Sequence, residues 1–184
     1  PAVTLERIGG VGGALAGEAQ RIFDNLSPQE QEIARRVFLG LVQLGEGTRD
    51  TRRRTAIAGL VSYKDEPERV KQVIGKFAAR DVRLIALSFS PEAGDTAEVT
   101  HEALFDHWSQ FNQWLDSSRS DLRFQRCLEE AAKAWEENGR PEGSLWRPPD
   151  LELLRRYHQR AGDDMTPLQV EFFQASQQAE NARK

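Results

Sequence analysis

Several groups of residues in this chain have types that could carry chemistry. The run Gly9-Gly10-Val11-Gly12-Gly13 has the glycine content of a loop that cradles phosphate. No Lys-Ser or Lys-Thr follows it and no apolar strand precedes it, so its plainer reading is a flexible turn before a helix. Gly75-Lys76 is followed by Phe77 and lacks the upstream glycine of a Walker A loop. The carboxylates of Glu129/Glu130, Glu136/Glu137 and Asp163/Asp164 are sequence neighbours. Adjacent side chains on a helix do not face each other, so these pairs read as solvated faces rather than acid/base couples. The serines lack the G-x-S-x-G setting of an activated nucleophile. Cys127, between Phe124 and Leu128, reads as a half-buried structural thiol rather than a nucleophile. As the only cysteine it excludes an internal disulfide and a multi-cysteine metal site. His101, His107 and His158 show no metal-ligand spacing. No catalytic residue, metal ligand or independently bound cofactor is assigned to this chain.

His101 is set apart by its position. It stands where a short strand, Glu98-Val99-Thr100, hands over to a helix starting near Glu102. An imidazole there can donate to an anion beside free helix N–H groups, or simply help to cap the helix. Charge gives the other signal. From Arg49 to Arg83 there are ten Lys/Arg against five Asp/Glu, inside a chain of net charge −4.

Those residues must be held by a fold, and the composition supports one. The 184 residues are 39% hydrophobic and 29% charged, enough apolar surface for one domain or two small ones. The longest nearly unbroken apolar stretch, Val82 to Phe89, contains Arg83 and Ser88, which excludes a membrane span. Nothing reads as a signal peptide, and a single cysteine fits a reducing cytoplasm. The start at Pro1 without Met suggests an excised or processed piece.

Helical spacing dominates. Leu15, Ala19, Ile22 and Leu26 share one face. Ser27-Pro28-Gln29-Glu30 then supplies a cap, a first-turn proline and a capping-box glutamate. The helix that follows carries Ile33, Val37, Phe38, Leu41 and Leu44 inward and ends at Gly45-Glu46-Gly47. A basic connector, Thr48 to Arg54, leads to the apolar piece Ala56 to Val61. Pro67 opens a helix with Val70, Val73, Ile74 and Phe77 inward. Strands are expected at 83–89 and 97–100 around the loop Ser90-Pro91-Glu92-Ala93-Gly94-Asp95. Three helices and a hairpin in this order are those of a winged helix.

The remainder reads as a helical bundle. Leu104, Trp108, Phe111 and Leu115 form one face, and Phe124, Leu128, Ala131 and Trp135 another. Asn138-Gly139-Arg140-Pro141 stops the second helix, and Pro148-Pro149 precedes a helix from Asp150 to Arg160. Thr166-Pro167-Leu168-Gln169 repeats the cap signature before Leu168, Phe172, Ala175 and Ala179, with a fraying tail beyond. The fold class is therefore mainly α, a winged helix followed by a helical bundle. Trp108, Trp114, Trp135 and Trp146 are core or interface anchors.

Val99-Thr100-His101-Glu102-Ala103-Leu104, closing a wing and opening a helix, resembles the Met-His-Asp motif of STAND-class signalling ATPases. These are relatives of plant resistance proteins and apoptotic protease activators. Gly9-Gly10-Val11-Gly12-Gly13-Ala14-Leu15-Ala16 is similar to the Gly-Leu-Pro-Leu-type motif that opens the helical lid in that class. His101 to Leu104, Trp108, Trp114-Leu115-Asp116, Leu122-Arg123, Glu130-Ala131-Ala132 and Trp135 resemble a bacterial branch whose ATPase precedes WD40 repeats.

The resemblance implies that residues 1–26 end a helical lid, 27–117 form the winged helix and 118–184 a helical domain. It implies that His101 contacts the diphosphate of ADP. Glu102 stands where the family has Asp, and Gly12-Gly13 where it has an adenine-packing proline. The phosphate-binding core, with ADP or ATP and Mg, would lie upstream in a parent ATPase, and WD40 repeats downstream. Exchange of ADP for ATP would release the arm and expose a self-association surface. This module would not itself be an enzyme, and no membrane partner is implied. The other reading is a DNA-binding winged helix, with Arg69, Lys71, Gln72, Lys76 and Arg80 in the groove and Arg52, Arg53 and Arg54 on phosphates. Net charge and Glu66 and Glu68 at the start of that helix disfavour nucleic acid.

Overall fold

Local caps set the first elements. The computed structural model describes residues 10–92 and 94–184, so Gly9 and Ala93 lie outside the described residues. Helix α1 spans Gly10–Asp24 and α2 spans Pro28–Gly40. Between them Ser27 is extended; its hydroxyl accepts from the Glu30 N–H at 3.2 Å while Glu30 accepts from the Ser27 N–H at 3.0 Å. This reciprocal pair satisfies two of the four donors that a helix start leaves unbonded. Instead of forming a turn before the helix, Gly10 to Gly13 make up the first turn of α1 itself. Tertiary burial overrides glycine's poor helix propensity there, for Gly12 is buried.

The second helix is shorter than its apolar periodicity suggests. It stops at Gly40, and Leu44 lies beyond it. The Gly40 carbonyl, one of those a helix end leaves unbonded, instead accepts from the Thr55 hydroxyl at 2.8 Å and from Arg53 at 3.3 Å. The chain then forms β1 (Val42–Gln43) where the helix is expected to continue, β2 (Thr51–Arg52) inside the basic connector and β3 (Thr55–Ala56) at its end. A 3-10 turn, Ile57–Leu60, follows, then α3 at Pro67–Ala78, which buries Val70, Val73, Ile74 and Phe77 as expected.

The hairpin strands are β4 (Ile85–Ser90) and β5 (Gly94–Val99), both shifted from the sequence expectation. Arg83 has φ +52 and so cannot continue a strand, whereas Gly94 at φ +74 turns the chain back three residues earlier than expected. β5 lies centrally, with β3 and β4 antiparallel on its two sides, and β1 pairs separately with β2.

Two further departures concern the helices after the hairpin. A short α4, Ala103–His107, ends at Trp108 (φ −89, ψ 102), so the apolar face from Leu104 to Leu115 is broken rather than continuous. Helix α5 then runs unbroken from Ser109 to Glu137. The described chain forms two compact units, the first of residues 10–61 and 65–118 and the second of residues 62–64 and 119–184. The core of the first unit is aromatic: Trp108 meets Phe38 at 4.9 Å and Trp114 at 5.3 Å, and Phe38 meets Phe77 at 4.9 Å.

In the second unit, α6 (Asp150–Ala161) and α7 (Pro167–Arg183) pack with Leu128, Ala132 and Trp135 of α5 around Tyr157, Met165 and Phe172. Helix α5 ends in a Schellman motif. Arg140 N–H reaches the Trp135 carbonyl at 2.8 Å, Gly139 N–H reaches Glu136 at 3.2 Å, and Gly139 takes φ +84. Thr166 and Gln169 form a second capping box. The last helix persists to Arg183 instead of fraying after Ala179, and Arg183 pairs there with Glu180 at 2.6 Å. Cys127 is exposed, not half-buried, because it lies one residue (100° around the helix) from buried Leu128. Among the described residues, no helix is long and apolar enough to cross a membrane.

The Ser27 N–H bond, helped by Lys76, holds the Glu30 carboxyl below the ordinary glutamate range. A group depressed in the folded state contributes fully above its unfolded pKa and loses that contribution as pH falls through the lower folded value. Glu30→Ala, which removes the carboxylate that accepts from the Ser27 N–H, is therefore expected to cost about 1 kcal/mol in urea unfolding at neutral pH. The cost should shrink as pH drops through the acidic range where Glu30 protonates.

Candidate functional site

His101 is placed by the end of β5 and the start of α4. The Thr100 N–H donates to the Leu84 carbonyl at 3.0 Å and its hydroxyl to the Arg83 carbonyl at 2.6 Å, which fastens this junction to the start of β4. On the other side, the His101 carbonyl accepts from Leu104 N–H at 3.1 Å, while Leu104 and Phe105 are buried. The backbone of His101 is thus held at both ends while its side chain is exposed. Among the described residues the imidazole has no hydrogen bond, ion pair or ring contact. The residue at the helix cap is Glu102, which makes no side-chain capping bond either. Capping, the bland role open to His101, is therefore not the one it performs. Nor does α4 offer a long helix dipole, since it has only five residues.

Two ion pairs join the β1–β2 segment to the residues that follow β5. Arg52 Nε lies 3.5 Å from Glu102, and Arg52 Nη1 donates to the Thr100 carbonyl at 3.2 Å. Arg49 pairs with Asp106. These side chains retain 36 to 61% of their exposure, so each pair is worth about 0–1 kcal/mol. Arg52 can consequently turn from Glu102 to an anionic ligand at little cost. Sequence reasoning placed Arg52 in a different role and missed Arg49, for nothing in the sequence signals pairs that bridge the β1–β2 segment and α4.

Four of the other cations proposed for DNA have internal partners. Arg53 donates to the Gly40 carbonyl and Thr55, Arg54 lies 3.8 Å from Glu98, Lys71 3.6 Å from Glu68 and Lys76 3.4 Å from Glu30. Gln72 and Arg80 are exposed and Arg69 is half-buried. The basic excess of the sequence is thus largely matched by acidic residues that folding brings from elsewhere. Among the described residues, no cluster of three or more His, Cys, Asp or Glu could hold a metal ion.

His107, which sequence spacing did not single out, packs on the backbone of α1. A Cβ added at Gly12 would lie 2.1 Å from the His107 ring. Glycine is required here by close approach, and α1 is joined to α4 through it. The space that a side chain at Gly12 would need is filled by this imidazole.

Comparison with known proteins adds one finding. The family model described as Novel STAND NTPase 1 matches residues 2–143, and the chain belongs to that family. No curated protein and no solved structure matches the chain.

The Gly12–His107 contact yields a test. Gly12→Ala forces the ring aside and is expected to destabilise the first unit by about 1–3 kcal/mol, read from the urea midpoint. His107→Ala should recover most of that loss in the double variant, whereas additive effects would mean that the two residues do not compete for the same space.

Proposed function

We propose that this chain is the regulatory module of a STAND-type signal-transduction NTPase, closing over nucleotide held by an upstream P-loop domain of the same parent. In this reading α1 ends a helical lid and residues 27–117 act as a winged helix. The reading of a winged helix is supported by the sequence of α2, β3, the 3-10 turn, α3 and the β4–β5 hairpin in one unit. Residues 118–184 form a helical arm, and WD40 repeats follow in the parent, which works in the cytoplasm.

One observation carries the proposal. His101, in a member of a STAND NTPase family, is an exposed imidazole without an internal partner on a backbone held at both ends. A side chain so presented is suited to an external ligand. When bound, ADP supplies a diphosphate between the upstream domain and this module. His101 donates a hydrogen bond to that diphosphate, and Arg52 turns from Glu102 to add a second positive donor. Gly12 makes no contact with the base, because His107 covers it.

Magnitudes limit what His101 alone can do. A hydrogen bond to a charged group is worth about 1.5–3 kcal/mol, or roughly a 10- to 150-fold change in population. A full switch between two states takes about 5.5 kcal/mol. Arg52 and contacts to the upstream domain must contribute the rest. Exchange for ATP changes these contacts, frees the arm and exposes a self-association surface, which is the differential binding that any such switch requires.

The experiment uses the parent protein including its upstream domain. The protein is purified and denatured, and the released ADP is quantified for wild type and His101→Ala. Since the imidazole is exposed, folding is unaffected, and ADP occupancy is expected to fall by about tenfold or more. Equal occupancy in the two proteins would remove His101 from the phosphate.

A further inference from the structure

Strand β4 is an open edge. Among the described residues it pairs with β5 on one side only, leaving the main-chain donors and acceptors of its other side unbonded by any strand. Such edges are usually protected by a charge, a proline, a bulge or a covering element. None of these occurs in β4. Its sequence is Ile85-Ala86-Leu87-Ser88-Phe89-Ser90, without charge or proline. Its register with β5 runs without interruption from Ile85 opposite Val99 to Ser90 opposite Gly94. Among the described residues nothing covers its side chains either, for Leu87 is 38% and Phe89 74% exposed.

Ile85, Leu87 and Phe89 alternate on one face, the face that Ile85 shares with buried Val99 and Ala97. The core side of the hairpin therefore extends past the core into solvent as an apolar stripe. A lone exposed Leu is ordinary in a soluble protein, but an apolar stripe along an unprotected edge is not.

Charge at the two ends of the strand indicates the occupant. Arg80, Asp81 and Arg83, net positive, lie at its base and Glu92 and Asp95 at its tip, all exposed. In an antiparallel pair of identical strands, the base of one copy meets the tip of the other. With Leu87 opposite the second copy's Leu87, Ile85 lies opposite the second copy's Phe89. Arg83 then falls beside the second copy's Glu92. The apolar stripes become continuous, and both ends of the interface bring opposite charges together.

We propose that β4 is a self-association surface, through which two copies of this chain pair edge to edge and antiparallel across a twofold axis at Leu87. The contact is isologous and closes on itself, so it yields a dimer rather than a filament. Being small, it is a weak interface. It stands on the strand alone and holds whether or not His101 meets a nucleotide, so its failure would leave the nucleotide reading untouched.

Sedimentation velocity over a concentration series of this chain, without nucleotide, tests it. Wild type is expected to show a reversible monomer–dimer equilibrium. Leu87→Lys sets two like charges opposite each other on the axis and should weaken the dimer at least about tenfold, with unchanged helical circular dichroism. Arg83→Glu and Glu92→Arg should each weaken it, and the double charge reversal should restore it, a result independent of whether Leu87→Lys folds. A chain monomeric up to millimolar concentration would overturn the proposal. So would a dimer indifferent to Leu87→Lys and to the charge reversals, or an open-ended polymer.

Discussion

The first unit depends on the seating of Trp108. This residue ends α4, starts α5 and is 2% exposed, with its indole N–H donating to Gln20 of α1 at 2.8 Å. Its ring meets Phe38 of α2 and Trp114 of α5 edge-on, and lies 6.4 Å from Phe23 of α1. Aromatic pairs of this kind contribute about 0.5–1.5 kcal/mol each beyond the area they bury. One side chain thus ties three helices to a break in the backbone. The break frees α4 to run in a direction of its own, with Leu104 and Phe105 buried beneath it and His101 at its head.

A side chain held in this way needs no partner of its own. His101 is positioned by Thr100 on one side and Leu104 on the other, so the rigidity comes from the backbone while the imidazole faces solvent. The surrounding ion pairs serve a different purpose. They are too exposed to stabilise much, but they hold Arg49 to Asp106 of α4 and Arg52 to Glu102, the neighbour of His101, without committing them. The proposed nucleotide contact and the tertiary core therefore place different demands on different residues. The same division explains why a strongly basic stretch of sequence does not produce a strongly basic surface: Glu30, Glu98, Glu102 and Asp106 return to it through the fold.

What was legible in the sequence was local. Ser27 and Thr166 announced their helices because a capping box is complete within four residues, and the inward face of α3 followed from simple periodicity. The mainly helical class followed from the same signals. The two-residue strands β1, β2 and β3 were not legible, since two residues carry no period. The early end of α2 depends on Thr55 and Arg53, residues far along the chain. The break at Trp108 was hidden because Leu104, Trp108 and Phe111 have helical spacing, which describes side chains and not the path between them. The placement of His101 between a strand and a helix was legible. The Gly12–His107 contact and the pairing of Arg49 and Arg52 were not, because each joins segments that only the fold makes neighbours.

The central claim is that the exposed His101 imidazole meets the nucleotide phosphates in one state of the parent protein and leaves them in the other. The most direct measurement is the NMR resonance of its ring nitrogens, assigned by their loss in His101→Gln, with ADP and then with a non-hydrolysable ATP analogue. The account predicts a shift in the ADP state that reverts toward the nucleotide-free position with the analogue, while His158 in the second unit stays unmoved. Identical His101 resonances in both states would contradict it.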